Sequence, residues 1–149
     1  MKIRWCKHWL VHAHTISHMS PCPRGKVGAF IIDKNNNPIS AGFNGPPRLA
    51  EGNRCGGVVC SREGIESGTH IEIGCHHAET NAVANAAKAG IALDGSSLVI
   101  TTKPCLACAR LIHHVGIKTV VVDASSSYSD DGLKYLAKHD IALYLVDIH

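Results

Sequence analysis

Apolar residues at Ile3, Cys6, Trp9, Leu10, Ala13 and Ile16 recur at spacings of three and four, the period of an amphipathic helix. A helix is therefore predicted over residues 3 to 19, stopped by Pro21 and Pro23. The period then changes. Residues 27 to 32 are an apolar run, 33 to 38 a polar Asp-Lys-Asn-Asn-Asn-Pro turn, and 39 to 43 a second run, which together predict an antiparallel hairpin. The Ala-rich stretch 78 to 89 predicts a helix lying close against a sheet, with Gly90 as its C-cap. Residues 97 to 101 and 119 to 122 read as strands, separated by a helix over 105 to 115 that Gly116 ends. A last helix is capped by Ser129, with Asp130 and Asp131 in its first turn and Lys138 and His139 in its last, the charge order that the helix dipole favours. Residues 142 to 146 close the set as a strand. Strands alternating with helices after residue 78 imply right-handed crossovers and parallel pairing. The expected fold class is thus α/β, a mixed five-stranded sheet with helices on both faces.

Residues 44 to 76 follow neither period. They are rich in Gly, Pro and Cys, and a loop of that length inside a compact domain carries function or needs a staple. We read residues 1 to 149 as one domain with this segment as an insertion. At 149 residues, 45% hydrophobic and 18% charged, the chain buries roughly two thirds of its unfolded surface and folds without a disulfide scaffold. The seven cysteines then need another explanation. The sequence does not open on a charged segment followed by an apolar one, and it holds no long apolar run, so a cytoplasmic protein without membrane contact is expected, in a bacterial or phage-infected cytosol. In that reducing compartment clustered thiols bind metal or do chemistry. The net charge of +3 comes from scattered Lys and Arg rather than a basic stripe, which argues against a nucleic-acid partner. Eleven histidines direct attention to metal sites.

His77-Ala78-Glu79 falls where the insertion meets the Ala-rich helix, and Pro104-Cys105-Leu106-Ala107-Cys108 falls where a strand meets the next helix. Both are helix N-termini. Cysteines three apart on a first turn face one side, and the turn's unpaired N–H groups favour thiolate. One imidazole and two thiolates leave the fourth tetrahedral position of a zinc ion open, as in a catalytic site. Glu79, two residues past His77, is placed to accept and return a proton. A lone Cys-x-x-Cys also occurs in redox sites and structural zinc knuckles. The ordered pair of motifs is more specific, being the H-x-E…P-C-x-x-C signature of zinc nucleobase deaminases.

On these residues the sequence resembles the cytidine deaminase superfamily, and within it the deoxycytidylate deaminases of phage and bacterial type. The likeness extends over Cys22 to Ala29, Gly42 to Arg48, His77 to Ala82, Pro104 to Cys108 and Gly116-Ile117-Lys118. Two positions depart from the pattern: Phe43 stands where tyrosine is usual, and Lys103 where an uncharged residue is usual. The resemblance implies a three-layer α/β/α fold and hydrolytic conversion of dCMP to dUMP and ammonia, supplying dUMP for thymidylate synthesis. Zinc on His77, Cys105 and Cys108 would activate water for attack on C4 of cytosine, with Glu79 serving N3 and the leaving amine. Asn44 would hold the sugar hydroxyl and Tyr128 pack on the base. Arg24 and Lys26 are the cations expected for the 5′-phosphate; exposed basic residues are also common without any such role. The resemblance further implies a homohexamer, activated by dCTP with Mg²⁺ and inhibited by dTTP, its effector loop including Gly42, Phe43, Asn44, Gly45 and Arg48.

Cys22, Cys55, Cys60, Cys75 and His70 remain. Soft ligands in an irregular segment suggest a second, structural zinc, the alternative being free cysteines packed as small hydrophobes. The resemblance implies Cys22, Cys55 and Cys75 as ligands, with His70 ahead of Cys60 for the fourth place. The pairs His8/His12 and His14/His18 are assigned to a polar helix face. Deamination of free cytidine or deoxycytidine, deamination of tRNA adenosine, and a non-catalytic zinc module that binds nucleic acid are the competing readings. Glu79 argues against the last, and the missing basic stripe against tRNA.

Overall fold

A computed structural model of the chain describes residues 1–46, 62–67 and 74–149. The helix α1 covers Ile3–Ser17, followed by the hairpin β1 (Gly28–Ile32) and β2 (Pro38–Phe43). Then come α2 (Ala78–Lys88), β3 (Ser97–Ile100), α3 (Leu106–His114), β4 (Thr119–Asp123), α4 (Asp131–Lys138) and β5 (Ala142–Val146). Every element read from the sequence is present, with ends displaced by one or two residues. Thus α1 stops at Ser17 with His18 as its cap, and Ala89 caps α2 while Gly90 takes the left-handed position beyond it at φ +71°. Ser129 stands outside α4 because Asp130 holds the cap position, yet its hydroxyl still accepts from Asp131 N at 3.2 Å.

The sheet runs β2-β1-β3-β4-β5, antiparallel where β1 meets β2 and β3, and parallel from β3 through β5. Alternate residues serve two cores. Ala29, Ile31, Leu98, Ile100, Val120 and Val122 face α2, α3 and α4, whereas Ile32, Val99, Val121 and Val146 face α1. The three-layer α/β/α arrangement expected from the sequence is therefore the one observed. Each fully buried aliphatic side chain in these layers contributes about 1.5–3 kcal/mol.

The turn between β1 and β2 is held by the Asp33 carboxylate, which accepts from Asn35 N at 2.8 Å and Asn37 N at 2.9 Å. At the other end of β2 the chain comes unusually close to α2. A Cβ on Gly42 would lie 2.5 Å from Ala82 N and 2.6 Å from Ala78 O, so only glycine lets helix and strand meet. Ser40 Oγ donates to Ala82 O, while Asn81 Nδ2 and Asn85 Nδ2 donate to the Phe43 and Ala41 carbonyls. The two asparagine bonds occupy carbonyl acceptors of the sheet's edge strand β2, and with the serine bond they fix α2 against it.

Candidate active site

The N-termini of α2 and α3 meet beyond the carboxyl ends of β3 and β4, the usual place for a site in an open α/β sheet. His77 is the N-cap residue of α2, with extended φ/ψ of −73° and 155°, and its side chain makes no cap bond. Cys105 is the N-cap residue of α3 at −69° and 168°, and its sulfur accepts from Cys108 N at 3.5 Å. An N-cap side chain points back across the helix end, so both residues are aimed at the same space. The extended backbone before each helix follows locally from Pro104, which cannot continue a strand ladder, and from the Gly45–His76 bridge.

His77 Nδ1 lies 3.3 Å from Cys108 Sγ and 3.7 Å from Cys105 Sγ, and the three ligand atoms all fall within 4.8 Å of one another. Zinc bonds of ordinary length in a tetrahedron place nitrogen and sulfur about 3.6 Å apart, so the three donors fit that ion in spacing and in chemistry. Among the described residues this is the one group of three or more such side chains. Electrostatics suit a cation here. A hydrogen bond from the Cys108 thiol, with a further one from His77, brings Cys105 down to about 4 despite partial burial. The same shared proton, together with burial, pushes Cys108 up. The bond to Cys105 raises His77 against the opposing effect of burial.

Glu79 is 3% exposed, and burial raises its carboxyl to about 7. Such a group exchanges protons near neutral pH. Thr80, which the sequence reading passed over, places Oγ1 3.9 Å from Cys108 Sγ. Its one signal was its place on the first turn after His77.

Tyr128 is half-buried in the loop between β4 and α4, its hydroxyl proton held more tightly by burial and by the negative field of Cys105, Cys108 and Glu79. It therefore borders the same pocket. Asn44 uses its amide on the backbone, accepting from Val27 N at 2.8 Å and donating to Gly25 O at 2.9 Å. One lone pair and one N–H remain for a ligand. Arg24 donates to the Arg62 carbonyl at 2.8 Å, and Lys26 is exposed. Arg62, inside the insertion and missed in the sequence, extends its positive field to both His77 and Tyr128.

In the expected effector loop, the close approach that Gly42 permits is to α2 and not to a ligand. Gly45 is buried, with Pro21 Cδ 3.6 Å from where its Cβ would be, and Phe43 is partly buried. Arg48 lies outside the described residues. So do Cys55 and His70 of the expected second zinc site. Of its other two members, Cys22 is a free thiol and Cys75 is disulfide-bonded, a state in which it offers no thiolate to a metal.

The family model for the cytidine and deoxycytidylate deaminase zinc-binding region matches residues 3–124. The chain belongs to this family. Among other family proteins, it is 33% identical over 127 residues to the deoxycytidylate deaminase of Mycobacterium phage D29, which covers 82% of this chain and 96% of that protein. It is 34% identical over 122 residues to ComE operon protein 2 of Bacillus subtilis (strain 168), matching 80% of this chain but 59% of the Bacillus protein's length. The crystal structure of dCMP deaminase from cyanophage S-TIM5 in complex with dCMP and dUMP superposes with a TM-score of 0.81 at 30% identity, over 98% of this chain and 99% of that one. The family fold and the His77/Cys105/Cys108 cluster are thus reached separately, from sequence kinship and from geometry.

Proposed function

We propose that this member of the family catalyses hydrolytic deamination of dCMP to dUMP and ammonia, with a zinc ion on His77, Cys105 and Cys108. The observation that carries this reading is the 3.3 and 3.7 Å spacing of His77 Nδ1 from the two sulfurs, with Glu79 buried beside them. Zinc held there supplies Lewis acidity, bringing the ionisation of water toward neutral pH. Glu79 takes the water proton as oxygen bonds to C4 of cytosine and delivers a proton to N3. A second proton passes through the same carboxyl to N4, the C4–N4 bond breaks, and ammonia leaves. Burial of Glu79 keeps bulk water from competing for that proton. Tyr128 packs against the base, and Asn44 offers its free amide positions to the sugar. Arg24, joined to Arg62 through the Arg62 carbonyl, and Lys26 are the cations we assign to the 5′-phosphate.

An ammonia-release panel over dCMP, CMP, deoxycytidine, dCTP and adenosine-containing RNA tests the assignment. We expect dCMP to be used best, because phosphate contacts add binding that the nucleoside lacks, and Glu79→Ala to retain zinc while losing several orders of magnitude in rate. Equal kcat/KM for dCMP and deoxycytidine moves the reading to the nucleoside branch, and retained activity in Glu79→Ala removes the mechanism.

The same proposal extends to supply of dUMP for thymidylate synthesis, a homohexamer, activation by dCTP with Mg²⁺ and inhibition by dTTP. With Gly42 filled by α2, effector contacts fall to Phe43, Asn44, Gly45 and Arg48. Rate curves against dCMP that superimpose with and without each triphosphate discard the regulation while leaving the chemistry. A second zinc on Cys22, Cys55, His70 and Cys75 requires Cys75 as a reduced thiol, so it is tested by metal analysis of the reduced protein, which should return two ions per chain, whereas one ion per chain discards the second site.

A further inference from the structure

The loop from Ala124 to Asp130, which carries Tyr128, is fastened to the ligand-bearing segment 101 to 105 at three points. Ser126 Oγ lies 2.9 Å from Thr102 Oγ1 and accepts from Lys103 N at 3.0 Å. At the second residue of α4, just past the loop, a Cβ on Gly132 would overlap the Pro104 carbonyl oxygen and lie 3.1 Å from that of Cys105, so the helix backbone rests directly on the segment holding a proposed zinc ligand. Between these two points Lys103 Nζ meets Asp130 Oδ1 at 2.9 Å.

This third fastening has two unusual features. The Lys103 side chain is 14% exposed, although an isolated lysine ordinarily extends into water, whereas its partner is 60% exposed. Asp130 occupies the N-cap position of α4, where aspartate ordinarily accepts the helix's first N–H groups, yet its carboxylate makes no cap bond. Ser129 Oγ receives Asp131 N in its place. A preferred local bond has been exchanged for one that reaches across to the metal-ligand segment. The exchange adds little to global stability, since a pair with one partner open to water is a weak ion pair. What it joins is the loop that carries Tyr128 and the segment that carries Cys105.

We propose that Lys103 is a positioning residue, which through Asp130 sets the height of the 124–130 loop and so the seat of Tyr128 against the substrate base. The inference rests on the reading above that Tyr128 packs on cytosine. Lys103 sets binding rather than proton transfer, because the group it holds contacts the base's face and not its reacting atoms.

The test compares zinc-loaded wild type with Lys103→Met, Lys103→Arg, Asp130→Asn and Tyr128→Ala. Backbone hydrogen exchange without substrate should show lost protection across 124–130 in Lys103→Met and Asp130→Asn, with the rest of the chain and the melting temperature near wild type. With dCMP, KM should rise roughly two- to fivefold in both variants, the size expected from losing one weak ion pair, while kcat stays near wild type. Lys103→Arg should restore KM, and 0.5 M salt should raise KM by a larger factor in wild type than in Lys103→Met, where only the phosphate contacts are left to be screened. Combining Lys103→Met with Tyr128→Ala should add nothing to the effect of Tyr128→Ala alone. Unchanged exchange in the loop overturns the proposal. Lost protection with unchanged KM overturns it too, provided that Tyr128→Ala itself raises KM. Should Tyr128→Ala leave KM alone, the base-packing role is what fails, and Lys103 with it as a determinant of binding. A failure of Lys103→Arg to rescue would mean direct contact between Lys103 and the ligand, and would likewise overturn the positioning role.

Discussion

Replacing Gly132 by alanine sets two opposite effects against each other at one atom. Alanine is the better helix former, so at an open position on α4 the change would stabilise by up to about 1 kcal/mol. At this position the added methyl overlaps the Pro104 carbonyl oxygen and approaches its carbon at 2.9 Å. Restoring ordinary contact requires the two backbones to part by about 1 Å, and overpacking of this kind costs about 1–3 kcal/mol. The overlap wins. For a chain of this length, at about 2–4 °C per kcal/mol, the melting temperature should fall by several degrees. The same displacement moves the backbone that carries Cys105, and a misplacement of about 1 Å near reacting groups costs on the order of a hundredfold in rate. Thermal unfolding, zinc content and dCMP turnover of Gly132→Ala therefore fall together, with zinc bound more weakly. A rise in melting temperature with full activity would mean that helix propensity alone is acting and that α4 does not rest on the zinc-ligand segment.

Three further outcomes follow from contacts described or measured elsewhere in the molecule. Asp123 is 1% exposed; burial raises its carboxyl, but hydrogen bonds from Ser125 N and Oγ and the contact with His14 outweigh this and hold it below the usual value. Its stabilisation is therefore fully present above about pH 4 and lost as pH falls through the lowered value, so the gap between wild type and Asp123→Asn, about 1–3 kcal/mol in urea unfolding at neutral pH, should close below pH 4. Adding zinc to the stripped protein at a thousand times its Kd should stabilise by about 4 kcal/mol, and Cys108→Ser, lacking a ligand, should show much less. Asn81→Ala leaves the Phe43 carbonyl without its 2.7 Å donor and should cost about 1 kcal/mol in chemical unfolding, with zinc affinity retained.

Local periodicity was enough to place the elements, because each strand and helix here buries one face and its sequence repeats accordingly. The grouping of the candidate metal donors was legible for a related reason: His77, Cys105 and Cys108, like Glu79 beside them, sit at helix starts, where position along the chain determines where a side chain points. Residues whose partners lie far away gave no such signal. His14 meets Asp123 across 109 positions, and nothing local to either residue announces the other. Arg24 reads as a free cation in sequence yet also donates to the Arg62 carbonyl, and Asn44 reads as a ligand contact yet also ties down Gly25 and Val27. Gly132 did leave a trace, as a glycine early in an otherwise good helix, whose reason appears only when the Pro104 backbone is found against it.

Among the described residues α1 is the helix that covers its face of the sheet, and the residues beneath it come from β1, β3, β4 and β5. Translation delivers these partners in order, with Val146 of β5 more than a hundred positions after Trp9. At roughly 5–20 residues per second, the apolar stripe of α1 is off the ribosome for on the order of ten seconds before its seat is complete. During that interval Trp9, Leu10 and Ala13 present a sticky amphipathic surface to whatever is nearby. Nascent chains halted between β4 and β5 should bind holdase chaperones through this helix, and chains released past β5 should not.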